Sequence, residues 1–188
     1  MRLAKKLGVG HGDPSGQRTL PHLLHTKWGL FPITVLVFSL VFLLSSTIPI
    51  ERSHAEELYN SVKESMSFSS PLDIFTHNIS ISIIMMTPVL GFLFSIVSSS
   101  TTGVIVSAVS SLTNLNPLSL AVELISSPPG ILEFLAYGLA SAQSLAGLFA
   151  MVEKRMKTEL RGYLTTLLIT SALLLAAAFL ETTLMLES

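Results

Sequence analysis

Long apolar runs separated by short polar connections dominate the chain. Residues 30–50, 74–97, 131–152 and 163–182 each approach the roughly 20 residues that cross a hydrocarbon core as helix. A weaker run covers residues 101–116, whose apolar part, 103–112, is only about half the length a spanning helix needs. Either this run continues through Thr113 to Asn116 as a polar-ended helix, or residues 118–127 dip back as a half-helix after Pro117. Broken elements survive in a membrane only when shielded by protein or lining water. The expected fold is all-α: a polytopic transmembrane bundle of about five spans, with a broken or re-entrant region before the fourth.

Composition agrees with the pattern. Apolar residues make up 49% of the 188 positions and charged residues 12%, against about 25% charged in a soluble domain; mean hydropathy is +0.65. The organisation expected is a basic leader over 1–28, a bundle over 29–183 and a short tail over 184–188. The formal charge of −1 hides an asymmetry. Arg2, Lys5, Lys6, Arg18 and Lys27 precede the first span, and Lys154, Arg155, Lys157 and Arg161 lie between the last two. Only Arg52 and Lys63 stand elsewhere. Short basic loops stay cytoplasmic, so a plasma-membrane protein is expected with its N-terminus and the 153–162 loop on the cytoplasmic side and its C-terminus outside. A turn at Ser98 to Thr102 would join the second and third spans.

The first apolar run begins too late and extends too far for a cleaved signal, so a retained signal anchor is expected. Arg2 to Val9 reads either as a short basic helix on anionic headgroups or as a solvated tail, followed by a turn-rich HGDPSGQ linker. Residues 52–68 carry Ala55, Leu58, Val62 and Met66 at helical spacing, which predicts an amphipathic helix at the outer surface, capping the bundle or docking a partner. Ser70 and Pro71 supply an N-cap and first turn for the second span. With no cysteine in the chain, disulfides, thiolate metal sites and cysteine nucleophiles are excluded.

Candidate chemistry is sparse. Pro88 removes a helical hydrogen bond and predicts a kink near Ile84. His77 is a lone histidine, weak as a metal ligand; Asn78 is better suited to bonding an adjacent helix. In SSPPGILEFLAYGLASAQSLAG, Pro128 and Pro129 open the fourth span, Gly130 permits a tight turn, and Glu133 falls where the helix dipole favours negative charge. Glu133 reads either as a carboxylate that satisfies exposed backbone N–H groups, of its own helix or of the broken one beside it, or, as an intramembrane carboxylate, as a functional candidate. Gly138, Ala142, Ala146 and Ala150 form a small-residue stripe, as do Gly103, Ser107 and Ser111, and the two faces are expected to meet within one chain or across a dimer. Gln143 needs a partner, most simply a Ser or Thr of another span.

Asn78 within IFTHNIS, and Pro128, Gly130 and Glu133 within PPGILE, together resemble the SpoIIM family of membrane proteins. That family has an Asn near the start of its second span and a Pro-His-Gly-x-x-Glu start to its fourth, followed by small residues that continue here to Gly147. Pro129 stands where the family has His, and Thr102-Gly103 where it has Asn-Gly; the similarity covers about residues 29–183. The resemblance implies a five-helix bundle and a membrane scaffold. The namesake's role, anchoring peptidoglycan-degrading partners in sporulation, does not transfer.

The expected function is a non-enzymatic scaffold or anchor in the lipid bilayer, acting through self-association or other membrane proteins, without cofactor, metal or nucleic acid. The alternative is a channel or transporter subunit with a polar path lined by Asn78, Glu133 and Gln143. No Ser/His, paired Asp or His-Glu-x-x-His constellation in the spans supports a protease or transferase. The polar residues cluster toward the outer face, which favours the scaffold.

Overall fold

The computed structural model describes residues 26–65 and 70–187. The proposed basic helix, the HGDPSGQ linker and Met66 lie outside the described residues. Among the described residues seven helices follow in order: α1 Lys27–Ser46, α2 Arg52–Ser65, α3 Pro71–Met85, α4 Leu90–Thr113, α5 Pro117–Ser126, α6 Pro128–Val152 and α7 Met156–Glu187. Four of them, α1, α4, α6 and α7, are long and apolar enough to cross a membrane. With α3 between them, the all-helical bundle makes about five passes.

Contacts fix the directions. Ser99 donates to the Phe38 carbonyl at 2.6 Å, and Ser107 to that of Ile48, so α1 and α4 run parallel. Thr34 donates to the Gly138 carbonyl at 2.7 Å while Phe42 packs edge-on to Phe134, so α1 and α6 run antiparallel. Asn78 meets Glu133 and Thr87 meets Ser144, which makes α3 parallel to α6. The bundle thus has a Lys27 end, holding the α3–α4 and α6–α7 connections, and a Glu133 end, holding α2 and α5.

The boundary between the second and third spans differs from the sequence expectation. Ser98 to Thr102 is not a turn but the interior of the 24-residue α4, and the turn falls at Met86 to Val89. Two facts explain the shift. Thr101 and Thr102 donate to the carbonyls of Val97 and Ser98 at 3.0 Å, which hides their hydroxyls along the helix. Pro88 ends α3 instead of kinking it, and Val89 takes φ 69°. The unwound backbone is satisfied from α6: Ser144 Oγ donates to the Thr87 carbonyl at 2.7 Å and accepts from the Phe92 N–H at 3.1 Å. At Gly91 a Cβ would strike the Met85 carbonyl, so glycine permits the tight reversal. The 15-residue α3 is consequently only about 22 Å long.

Helix ends elsewhere follow local signals. Ser70 accepts from the Asp73 N–H at 3.3 Å with Pro71 in the first turn, as the sequence indicates. Asn116 caps α5 by accepting from Leu118 and Ser119 N–H groups at 3.0 and 3.1 Å. The run over 101–116 therefore ends at Thr113, and the segment after Pro117 is a separate ten-residue helix packed on α1, α4 and α6. The fifth span starts earlier than residue 163: Lys157 and Arg161 already lie on α7, leaving Glu153 to Arg155 as the connection. The expected 184–188 tail is helical through Glu187. At the other terminus of the bundle, Lys27 and Trp28 belong to α1, not to a leader. On α2, Ala55 is fully buried and Leu58 and Val62 are half-buried, the stripe the spacing predicts, and this face rests on α4.

The two small-residue stripes do not meet each other. Both are used against α1, which packs on α4 and on α6. A Cβ on Gly103 would sit 2.5 Å from the Phe42 carbonyl and 2.8 Å from Ser45 Cβ, and Ser107 and Ser111 donate to the carbonyls of Ile48 and Ile50 just beyond α1. On the other side, a Cβ on Gly138 would strike Val35, while Ala142 and Ala146 pack with Leu30. Close backbone approach is thus intramolecular. Ala142→Leu inserts three carbons into a fully buried position and is expected to cost about 1–3 kcal/mol. Thermal unfolding in detergent checks this, and an unchanged melting profile contradicts the packing.

Candidate functional site

Charged and amide side chains turned into the bundle form two clusters, one at each end, with buried serine and threonine hydroxyls between them. At the Glu133 end, Ser127 closes α5 and caps α6, accepting from the Gly130 N–H at 3.1 Å, and Pro128 and Pro129 form the first turn. Glu133 is the sixth residue of α6, so it lies beyond the first turn and is no cap for its own helix. Its Oε1 instead accepts from Asn78 Nδ2 at 2.8 Å, joining α6 to α3. The interhelical bond expected of Asn78 is therefore formed with Glu133. Gly130 makes no tight turn; its φ is not positive, and a Cβ there would strike the Leu124 carbonyl. Glycine at 130 lets α5 close onto α6 and leaves space beside Glu133.

That space is a cavity of about 500 Å³ bounded by α1, α3, α4, α5, α6 and α7. Phe38, Phe42, Phe94 and Phe134 form much of its wall, and its polar groups include His77, Asn78, Glu133 and Glu181 together with hydroxyls of α4. A second hollow of about 320 Å³, reaching Ser127, Pro129 and Leu184, also touches Glu133 and Glu181. Replacing Glu133 by Leu strands the Asn78 amide and is expected to cost about 0.5–2 kcal/mol. Glu133→Gln keeps an acceptor oxygen and is expected to retain most of the stability. Unfolding midpoints of the two variants test this; a Leu variant as stable as the wild type contradicts it.

The second cluster, at the Lys27 end, was not anticipated as a cluster. Gln143 is fully buried on α6. Its Nε2 donates to Glu159 Oε1 at 2.9 Å and its Oε1 accepts from Thr166 Oγ1 at 2.9 Å. Lys27 Nζ in turn donates to Thr166 Oγ1 at 3.0 Å and to the Gly162 carbonyl at 2.7 Å. Arg155 lies 3.6 Å from the other oxygen of Glu159. The partner expected for Gln143, a Ser or Thr of another span, is thus Thr166 of the fifth, with a charged network around it. Lys27 and Glu159 were visible in the sequence only as members of basic and loop segments. The polar residues are therefore not confined to one face of the bundle.

Gln143 does not join Asn78 and Glu133. It contributes nothing to the lining of either hollow at the Glu133 end. Between the clusters, Ala136, Leu139 and Ala140 of α6 are at most 2% exposed. Pro88 lies in the α3–α4 turn, away from the Glu133 cavity. Among the described residues, no group of three His, Cys, Asp or Glu side chains is arranged to hold a metal ion.

A family model described as SpoIIM, Stage II sporulation protein M, matches residues 29–184. The chain belongs to the SpoIIM family. No curated protein and no solved structure matches it. The SpoIIM match reaches from α1 to α7 and includes both polar clusters apart from Lys27. With its several apolar helices, this SpoIIM-family chain is a multi-pass membrane protein.

Proposed function

We propose that this SpoIIM-family protein is a non-enzymatic scaffold or anchor that holds membrane partners in the plasma membrane. The observation that carries the proposal is the packed section of α6 between the polar clusters, where Ala136, Leu139 and Ala140 are buried. A conducting path needs free polar lining along its length, and the buried hydroxyls of Thr34, Ser99 and Ser141 at this level instead donate to the backbone carbonyls of Gly138, Phe38 and Tyr137. Partners other than a second copy are favoured, because α1 already covers the small-residue stripes that suggested self-association. The partner surface we favour is α2, whose exposed side carries Arg52, Glu56, Glu57, Lys63 and Glu64 above its seat on α4. Lys154, Arg155, Lys157 and Arg161 near the Lys27 end support a cytoplasmic location for that end, which puts α2 and the end of α7 outside.

The cavity beside Glu133 favours a second reading, a transporter or channel subunit. Flux through proteoliposomes separates the two. The scaffold reading expects sodium, potassium and proton flux no faster than in protein-free vesicles. Protein-dependent flux lost in Glu133→Gln would replace it with the transport reading.

A further inference from the structure

We infer that the cavity beside Glu133 binds the ammonium headgroup of a membrane lipid, with part of an acyl chain lying along its aromatic wall. Its size, about 500 Å³, falls within the range of small-molecule sites, which are mostly apolar with a few convergent polar groups. The polar end holds two carboxylates, Glu133 and Glu181, with His77 beside them and no lysine or arginine among the described residues that line it. Among the described ion pairs neither carboxylate has a cationic partner. Carboxylates within a membrane bundle ordinarily pair, and a cation arriving from outside the chain supplies the missing charge. The wall supplies Phe38, Phe42 and Phe94, and aromatic faces add to the attraction for ammonium groups.

The bilayer is the source of the occupant because of where the cavity opens. Val97 and Thr101, on its α4 side, are exposed on the outer surface of a membrane-spanning helix. A lipid can therefore enter sideways with its chain still in hydrocarbon. The second hollow at the same carboxylates gives the headgroup contact with the Glu133 end of the bundle. This inference does not depend on the scaffold reading.

Native mass spectrometry in a nonionic detergent tests it with phosphatidylethanolamine and phosphatidylglycerol of identical acyl chains. One phosphatidylethanolamine per chain should be retained, about tenfold more tightly than phosphatidylglycerol. Glu133→Gln combined with Glu181→Gln should abolish the preference. Ser98→Phe, which fills the cavity from α4 and leaves both carboxylates in place, should remove the adduct. Equal retention of the two lipids, no lipid adduct, a mass showing a second copy of the chain in place of lipid, or a preference that survives Ser98→Phe would each overturn the assignment.

Discussion

Gly103→Leu should prevent α1 from docking on α4 and abolish recovery of folded protein from membranes. Even a single Cβ at this position would lie 2.5 Å from the Phe42 carbonyl and 3.0 Å from the Ser46 nitrogen. Those are backbone atoms of α1, which cannot rotate away as a flexible side chain would. Overpacking of this kind costs about 1–3 kcal/mol and occasionally more, and Gly103→Ala alone should reach that range. The consequence extends beyond one contact, because α1 is also the helix on which α6 packs through Gly138 and Phe134. Size-exclusion profiles and melting curves of the Ala and Leu variants provide the check. A Gly103→Leu protein that melts like the wild type would show that the two helices are not in contact there.

Gln143→Leu has the second largest expected effect, about 2–4 kcal/mol of lost stability. Leucine is more apolar, so hydropathy alone would favour it within a membrane helix. The site argues otherwise, since both ends of the amide are used, by Glu159 and by Thr166. Losing the amide leaves the half-buried Glu159 and the Lys27–Thr166 pair with fewer partners in a setting where water cannot replace them. Gln143→Leu combined with Thr166→Val should cost less than the sum of the two single changes, because both act on one network. Additive losses in thermal unfolding would contradict a shared network.

The number of passes was legible because apolar runs near the span length carry a strong signal, and the capping of α3 by Ser70 was equally plain. What failed was the place where two helices join. A serine- and threonine-rich stretch at 98–102 resembles a turn in composition, but in a membrane helix each hydroxyl can return its proton to its own backbone, as Thr101 and Thr102 do. The true turn carried only Pro88 and Gly91 as signals, and its stability depends on Ser144, far away in sequence. Periodicity located the packing faces of α4 and α6 but could not name what they face. That choice rests on α1, which packs against both.

The candidate site was half legible. The motif residues Asn78, Pro128, Gly130 and Glu133 do converge at one end of the bundle, yet Glu133 reaches Asn78 across helices where a helix-capping role was expected. Glu181 joins the same cavity from α7, and nothing near it in sequence marks it for that position. The Lys27–Gln143–Glu159 cluster was hidden because its charged members sit at helix ends, where lysine and glutamate are ordinary. Only the folded arrangement separates residues that face water there from those turned inward.

The claim that this SpoIIM-family protein holds partners is tested most directly by photocrosslinking and co-purification from native membranes. A photoreactive residue replaces Tyr59, which is 41% exposed on α2, and the intact assembly is weighed after isolation in mild detergent. The expected result is a stoichiometric second polypeptide crosslinked through position 59, absent when the photoreactive residue is placed at the lipid-facing Leu168. A lone chain or a homo-oligomer with no crosslinked partner would contradict the scaffold.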